Sequence, residues 1–186
     1  ANMSHEIRTP MNAILGMSRL AMMTGPNARQ RNYLGKIQGA GEHLLGIIND
    51  ILDVSKIEAG KLTLESVPFD LGDILEHLSS VTAIKSDAKR VELVFRVDRG
   101  VPQTLVGDPL RLGQILINLT GNAVKFTEHG DIVVGVKVVE RTRGAVTLGF
   151  SVSDTGRGMD EDQLARLFQS FSQADGSITR KYGGTG

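Results

Sequence analysis

The feature that most restricts this chain is a heptad. Tyr33, Ile37, Ala40, Leu44, Ile47, Ile51 and Val54 follow one another at spacings of 4, 3, 4, 3, 4 and 3 residues. A helix gathers such positions into one stripe. Leu34, Ile48 and Leu52 widen it beyond the seam of a simple coiled coil. A lone hairpin cannot cover so wide an apolar surface, so the pattern predicts a second copy packed on the first as a four-helix bundle. The alternative is a hairpin that packs on the rest of its own chain. The helix should begin near Ala28 and end at Gly60, with Lys56 and Lys61 beside a glycine suited to a helix C-terminus.

Upstream, a first helix is expected to run to about Met23 and to stop at Thr24-Gly25-Pro26-Asn27. Its apolar residues Ile7, Met11, Ile14 and Leu15 mark one buried stripe. At about 100° per residue, His5 falls opposite Ile7 and Ile14, with Thr9 and Asn12 further along its own side and Glu6 as its neighbour. Pro10 has no N–H to give the carbonyl of Glu6, so a bend is expected one turn past the histidine. A single helical histidine is ordinarily a solvated surface residue. Only the company of other motifs in the chain can make it more than that.

Balanced charge, 21 basic against 21 acidic residues, leaves no basic stripe for nucleic acid. Cysteine is absent, which excludes disulfides and thiolate metal sites. No apolar run approaches the ~20 residues of a membrane span, and no signal peptide is visible, so a soluble piece with no direct membrane contact is expected. Both ends read as cuts, the first inside a helix at Ala1 and the last inside a glycine-rich run at Gly186. The periodicity changes after Gly60. A domain boundary is expected between Gly60 and Phe69, giving a helical domain over 1–62 and a second domain over 63–186.

In that second domain, Lys61 to Glu65 alternates as a short strand, and Asp70 is placed to cap a helix carrying Leu71, Ile74, Leu75, Leu78 and Val81. Val91 to Val97 alternates again. Gly107-Asp108-Pro109 opens a helix with Leu112, Ile115, Leu116 and Leu119 on its apolar face. Asp131 to Glu140 and Ala145 to Asp154 form a hairpin turning at Arg143-Gly144, and a helix comes next from Asp160 to Phe168. The mixture predicts one sheet layered against helices.

Three stretches of this domain suit a nucleotide. Asn118, Asn122 and Lys125 fall at i, i+4 and i+7 on one helix face. Amide oxygens there can hold hydrated Mg²⁺ and the ammonium can meet phosphate as a point charge. Asp154-Thr155-Gly156-Arg157-Gly158-Met159 comes directly after a strand, with a carboxylate able to accept from an exocyclic amino group and glycines that let a ring approach. Gly183-Gly184-Thr185-Gly186 begins a backbone cradle for phosphate, preceded by Arg180 and Lys181. Singly, each is also compatible with an ordinary polar face or loop.

Taken together, S-H-E-I-R-T-P-M-N, then N-x-x-x-N-A-x-K-F-T, D-T-G-x-G-M, the Phe168/Phe171 segment and G-G-T-G resemble the boxes of sensor histidine kinases of two-component systems, in order and over nearly the whole chain. The long first box is most similar to the hybrid branch. The family's G-G-T-G normally continues into G-L-G-L and a closing helix and strand, which are absent from this sequence, a departure from the family pattern. The resemblance implies a multidomain protein, with an all-α hairpin forming a dimeric four-helix bundle, then an α/β sandwich of the Bergerat, or GHKL, kind. It implies ATP and Mg²⁺ as cofactors. His5 would accept the phosphoryl group, Glu6 would take its proton and Thr9 would serve a phosphatase activity. Asn122, supported by Asn118, would hold the metal. Lys125 and Arg180 would touch phosphate, and Gly184, Thr185 and Gly186 would wrap the nucleotide. Asp154 would read adenine, with Gly156 and Gly158 giving it room.

The implied partners are a second copy and a response-regulator receiver domain, docking near Arg19 and Arg31 unless these are solvated charges. The implied location is the cytoplasm, with any membrane anchor upstream. Two other readings stay open: a kinase-like module acting mainly by dimerising with another kinase, and a GHKL ATPase of another kind.

Overall fold

The computed structural model describes residues 2–87 and 89–166, with the side chains of all of these except 2–5, 84–87, 162, 165 and 166. The chain divides into two compact units, Ala1–Thr63 and Leu64–Gly186.

The first unit is a helical hairpin of α1 (Asn2–Met23) and α2 (Ala28–Glu58). α1 continues as α-helix through Pro10. Asn27 starts α2 with a reciprocal cap: its Oδ1 accepts from Gln30 N at 2.9 Å, and Gln30 Oε1 accepts from Asn27 N at 3.0 Å. At the other end Gly60 takes φ +63°, the left-handed region that glycine enters freely. That turn lets Lys61 N donate to Lys56 O at 2.8 Å and Gly60 N to Ile57 O at 3.0 Å, which satisfies two terminal carbonyls.

Packing inside the hairpin differs from the periodicity reading. The covered side of α2 is a second seam, displaced by one residue from the heptad: Leu34, Gln38, Gly41, Leu45, Ile48 and Leu52. Gly41 marks the close approach of the helices, since a Cβ there would lie 2.8 Å from Leu15 Cδ2 and 3.4 Å from Met11 Cε. On α1 the buried residues are Leu15 and Ser18, with Arg8 and Met11 half-buried. Ile7 and Ile14, expected inside, are exposed because α2 meets the adjoining strip of the helix. The heptad residues Tyr33, Ile37, Leu44, Ile51 and Val54 are also exposed within the single chain.

The second unit runs β1 (Val67–Asp70), α3 (Leu71–Asp87), β2 (Val91–Val97), β3 (Thr104–Gly107), α4 (Pro109–Phe126), β4 (Gly130–Arg141), β5 (Val146–Asp154) and α5 (Glu161–Arg166). There are two sheets among the described residues, not one. β1 and β3 form an antiparallel pair, and β2-β4-β5 form a sheet in which β2 and β4 are parallel. The strand expected over Lys61–Glu65 is irregular chain. Strand structure starts at Val67 because β3, which alternation did not reveal, pairs with residues 67–70.

Alternation on β4 drives the layering. Ile132, Val134 and Val136 are fully or nearly fully buried toward α3 and α4, where Ile74, Leu78 and Leu116 meet Val134 with Phe95 and Phe150 packed around them. A second cluster joins Val91, Ile132, Ala123 and Val124. On α3, Thr82 is buried in place of Val81. On α4, Thr120, Ala123 and Val124 are buried in place of Ile115 and Leu119, which are exposed. Those two apolar residues share the α4 side that carries the paired asparagines.

Candidate functional site

The site in the α/β unit is built on the end of α4 and the turn after β5. Asp108 fixes where α4 starts. Its Oδ1 accepts from Arg111 N at 2.9 Å and its Oδ2 from Glu65 N at 3.1 Å. These N–H groups, that of Arg111 first, together with the Arg111 charge, hold the Asp108 carboxyl below the usual carboxylate range. From that cap, helical spacing carries Asn118 and Asn122 onto the exposed side and leaves Lys125, half-buried, in the last turn. Neither asparagine side chain has a hydrogen-bond partner among the described residues.

Asp154 ends β5, and its Oδ1 accepts from Gly156 N at 2.9 Å, closing a tight turn. Gly156 is packed against α4: a Cβ on it would stand 2.7 Å from Phe126 O and 2.7 Å from Asp154 Oδ1. Any side chain would push the turn off the helix. Gly158 has φ +66°, again the left-handed region. The structure thus brings the Asp154 turn against the helix end that bears Asn122 and Lys125. The Phe126 ring lies beside two cations, Lys125 Nζ at 5.1 Å and the Arg157 guanidinium at 5.5 Å from its centre.

The turn is held by residues to which the motifs assign no role. Thr155 Oγ1 accepts from Asp131 N at 3.1 Å and donates toward His129 O at 3.4 Å, while Thr155 N donates to Asp131 O at 3.3 Å. Gly130, with φ +111°, makes room, because a Cβ there would collide with Thr155 Oγ1. Threonine after an aspartate carries no signal of its own. Its partners lie 24 to 26 residues upstream and are set only by the β4–β5 register.

In the hairpin unit His5 lies in the first turns of α1, its side chain outside the described residues, and Glu6 and Thr9 are exposed. One turn on from His5, Arg8 donates to Asn49 Oδ1 at 3.0 Å and ties α1 to α2. Arg19 meets Glu42 at 3.4 Å on the surface. Arg180, Gly184, Thr185 and Gly186, with Phe168 and Phe171, lie outside the described residues.

Asn118 and Asn122 fit a divalent cation by donor type. Two unengaged amide oxygens one turn apart are hard ligands of the sort Mg²⁺ takes alongside water. Asp154 Oδ2 has no partner among the described residues and is a carboxylate oxygen able to accept from an amino group.

Residues 1–60 match the His Kinase A (phospho-acceptor) domain, and residues 107–186 match the histidine kinase-, DNA gyrase B- and HSP90-like ATPase. The chain is 52% identical to the sensor histidine kinase GacS of Pseudomonas protegens over 186 residues, covering 100% of this chain and 20% of that protein. It thus spans about a fifth of the length of such curated relatives. Among solved structures, full-length ShkA in complex with AMPPNP is similar at 37% identity and a TM-score of 0.74, covering 96% of this chain and 38% of that one. The histidine kinase ThkA, solved in complex with the response regulator protein TrrA, is similar at 25% identity and a TM-score of 0.53, with coverage of 97% and 52%. The hairpin with its H-E-x-x-T-P helix and the α/β unit with its paired asparagines and aspartate turn place the chain among the sensor histidine kinases of two-component systems, of which it carries the phospho-acceptor domain followed by the ATPase domain.

Proposed function

We propose that the chain is the catalytic core of a hybrid-type kinase that transfers the γ-phosphoryl group of ATP to His5 and relays it to an aspartate on a receiver domain. The observation that carries this reading is the packing of Gly156 on Phe126, which sets the Asp154 carboxylate beside the helix end that offers Asn122 and Lys125, with Asn118 one turn further back on α4. In the proposed reaction an imidazole nitrogen of His5 forms the bond to phosphorus as the bond to the ADP oxygen breaks, and Glu6 takes the ring proton. Asp154 accepts from the adenine amino group, and Lys125 and Arg180 neutralise charge on the transferring oxygens. Gly158 would give adenine room, and Gly184, Thr185 and Gly186 would let backbone N–H groups approach the phosphates. Asn122 and Asn118 would hold Mg²⁺, which when bound neutralises phosphate charge.

The exposed heptad supports a homodimer through α2. The ThkA complex with a response regulator supports a receiver as the second partner. Thr9, one turn beyond His5, is assigned to orient water for removal of phosphate from that receiver. A cytoplasmic location goes with this chemistry. No described helix is long and apolar enough to cross a membrane.

Two substitutions test the assignment. With ATP and Mg²⁺, the full-length protein should gain an acid-labile, alkali-stable phosphate that His5→Gln abolishes without unfolding it. Label that survives in His5→Gln would refute the nucleophile. Thr9→Ala should keep most autophosphorylation and lose receiver dephosphorylation by about tenfold or more if orientation is its role. An unchanged dephosphorylation rate with a lowered melting temperature would mean that Thr9 only supports the Pro10 region.

A further inference from the structure

We infer that Lys89 is a positioning residue for the nucleotide site, an assignment that rests on the ATP-binding reading above. Lys89 stands in the turn between α3 and β2, half-buried. Its Nζ donates to Val124 O at 2.7 Å, Lys125 O at 2.9 Å and Thr127 O at 3.3 Å. These belong to the carbonyls that a helix end leaves without an intrahelical donor, where a cation is also favoured by the helix dipole. An ammonium can donate to several acceptors at once, and three carbonyls of this helix end lie within its reach.

The carbonyl missing from the run 124–127 is Phe126 O, and that is the one packed against Gly156. One side of the α4 terminus is therefore held by Lys89 and the other faces the Asp154 turn. Lys125, assigned to phosphate, and Asp154, assigned to adenine, are thus joined through a backbone whose path Lys89 sets. Arg90, the next residue, has φ +56°. A residue other than glycine keeps that conformation only where its surroundings hold it, and the three bonds of Lys89 anchor this turn to α4.

A ligand that engages both the base side and the phosphate side reads the spacing between them, and a ligand that engages one side does not. Lys89→Met keeps the aliphatic stem and removes the donors. In the full-length protein it should weaken calorimetric binding of AMPPNP–Mg²⁺ about tenfold while leaving adenosine within about twofold, since misplacement penalises two-ended contact most. Lys89→Arg, whose planar fork cannot copy three diverging N–H bonds, should show the same selectivity with a loss of about threefold. If Lys89→Met does not fold, the arginine variant decides by the same comparison. Unchanged AMPPNP affinity, or equal losses for both ligands, would overturn the inference and leave the ATP-binding reading standing. An unmutated protein that binds neither ligand would overturn the ATP-binding reading, and this inference with it.

Discussion

The two units solve the problem of apolar surface in opposite ways. The α/β unit closes its core within itself: Leu78, Leu116, Ile132 and Val134 are completely buried, and the sheet needs nothing from outside to cover that face. The hairpin buries only Leu15, Ser18 and Gly41 among its described residues, while Ile37, Leu44 and Ile51 stay 42–48% exposed. A two-helix layer has one internal interface, and α2 carries two adjacent seams. One is used up against α1 and the other is left over. The α/β unit is therefore a finished fold, whereas the hairpin leaves one apolar seam uncovered within the single chain.

The largest effect should come from the unused seam. Asp at both Ile47 and Ile51 should convert a micromolar dimer to monomer or unfolded hairpin, since unpaired carboxylates buried in an interface cost several kcal/mol each. Light scattering reads the mass, and a monomeric unmutated protein would break the comparison outright. In the other unit Leu116→Ala should cost about 2–5 kcal/mol, with a cavity left under the sheet, and should not change oligomeric state. Denaturant melts with light scattering check both halves of that statement.

Glycines sharpen the contrast inside the hairpin. Gly46 has open space where a Cβ would go, so Gly46→Ala should stabilise α2 by about 1 kcal/mol. Gly41→Ala gains the same propensity but drives a methyl into Leu15, and overpacking of about 1–3 kcal/mol should outweigh it. A melting temperature higher for the first variant and lower for the second is the expected result. The smallest effect concerns Asp108, whose carboxyl is held low in the fold by the N–H groups of Arg111 and Glu65. A lowered folded-state pKa contributes stability that is present above the ordinary value of about 3.9 and is lost as pH falls through the lowered one. Asp108→Asn keeps a capping oxygen and cannot titrate. The stability gap between the two proteins should therefore close in acid, as thermal melts across pH 2–6 would show.

Much of this is legible in the sequence. Val91 to Val97 alternates and is β2; Asp108-Pro109 opens α4; Gly60 ends the α2 turn; the 130–154 hairpin falls where its turn residues put it. These are local signals, in which cap, turn and period are written within a few residues. The misplaced elements depend on partners. Lys61 to Glu65 alternates as well as many strands do, yet strand pairing is given to Val67–Asp70 because β3 meets it there. Ile115 and Leu119 look like core, yet α4 is rolled so that Thr120 and Val124 face the sheet and the apolar pair shares the site's side.

The same division runs through the site. Residue types and spacings by themselves determined the family, the paired asparagines, the aspartate turn and the helix that carries His5, because each motif is a run of neighbours on one element. Tertiary structure alone decided that α4's end touches Gly156, that Thr155 reaches back to residues 129 and 131, and that Lys89 meets Val124, Lys125 and Thr127. Those contacts join residues some 24 to 38 positions apart. Their geometry comes from how helices settle on a sheet, which no local pattern encodes.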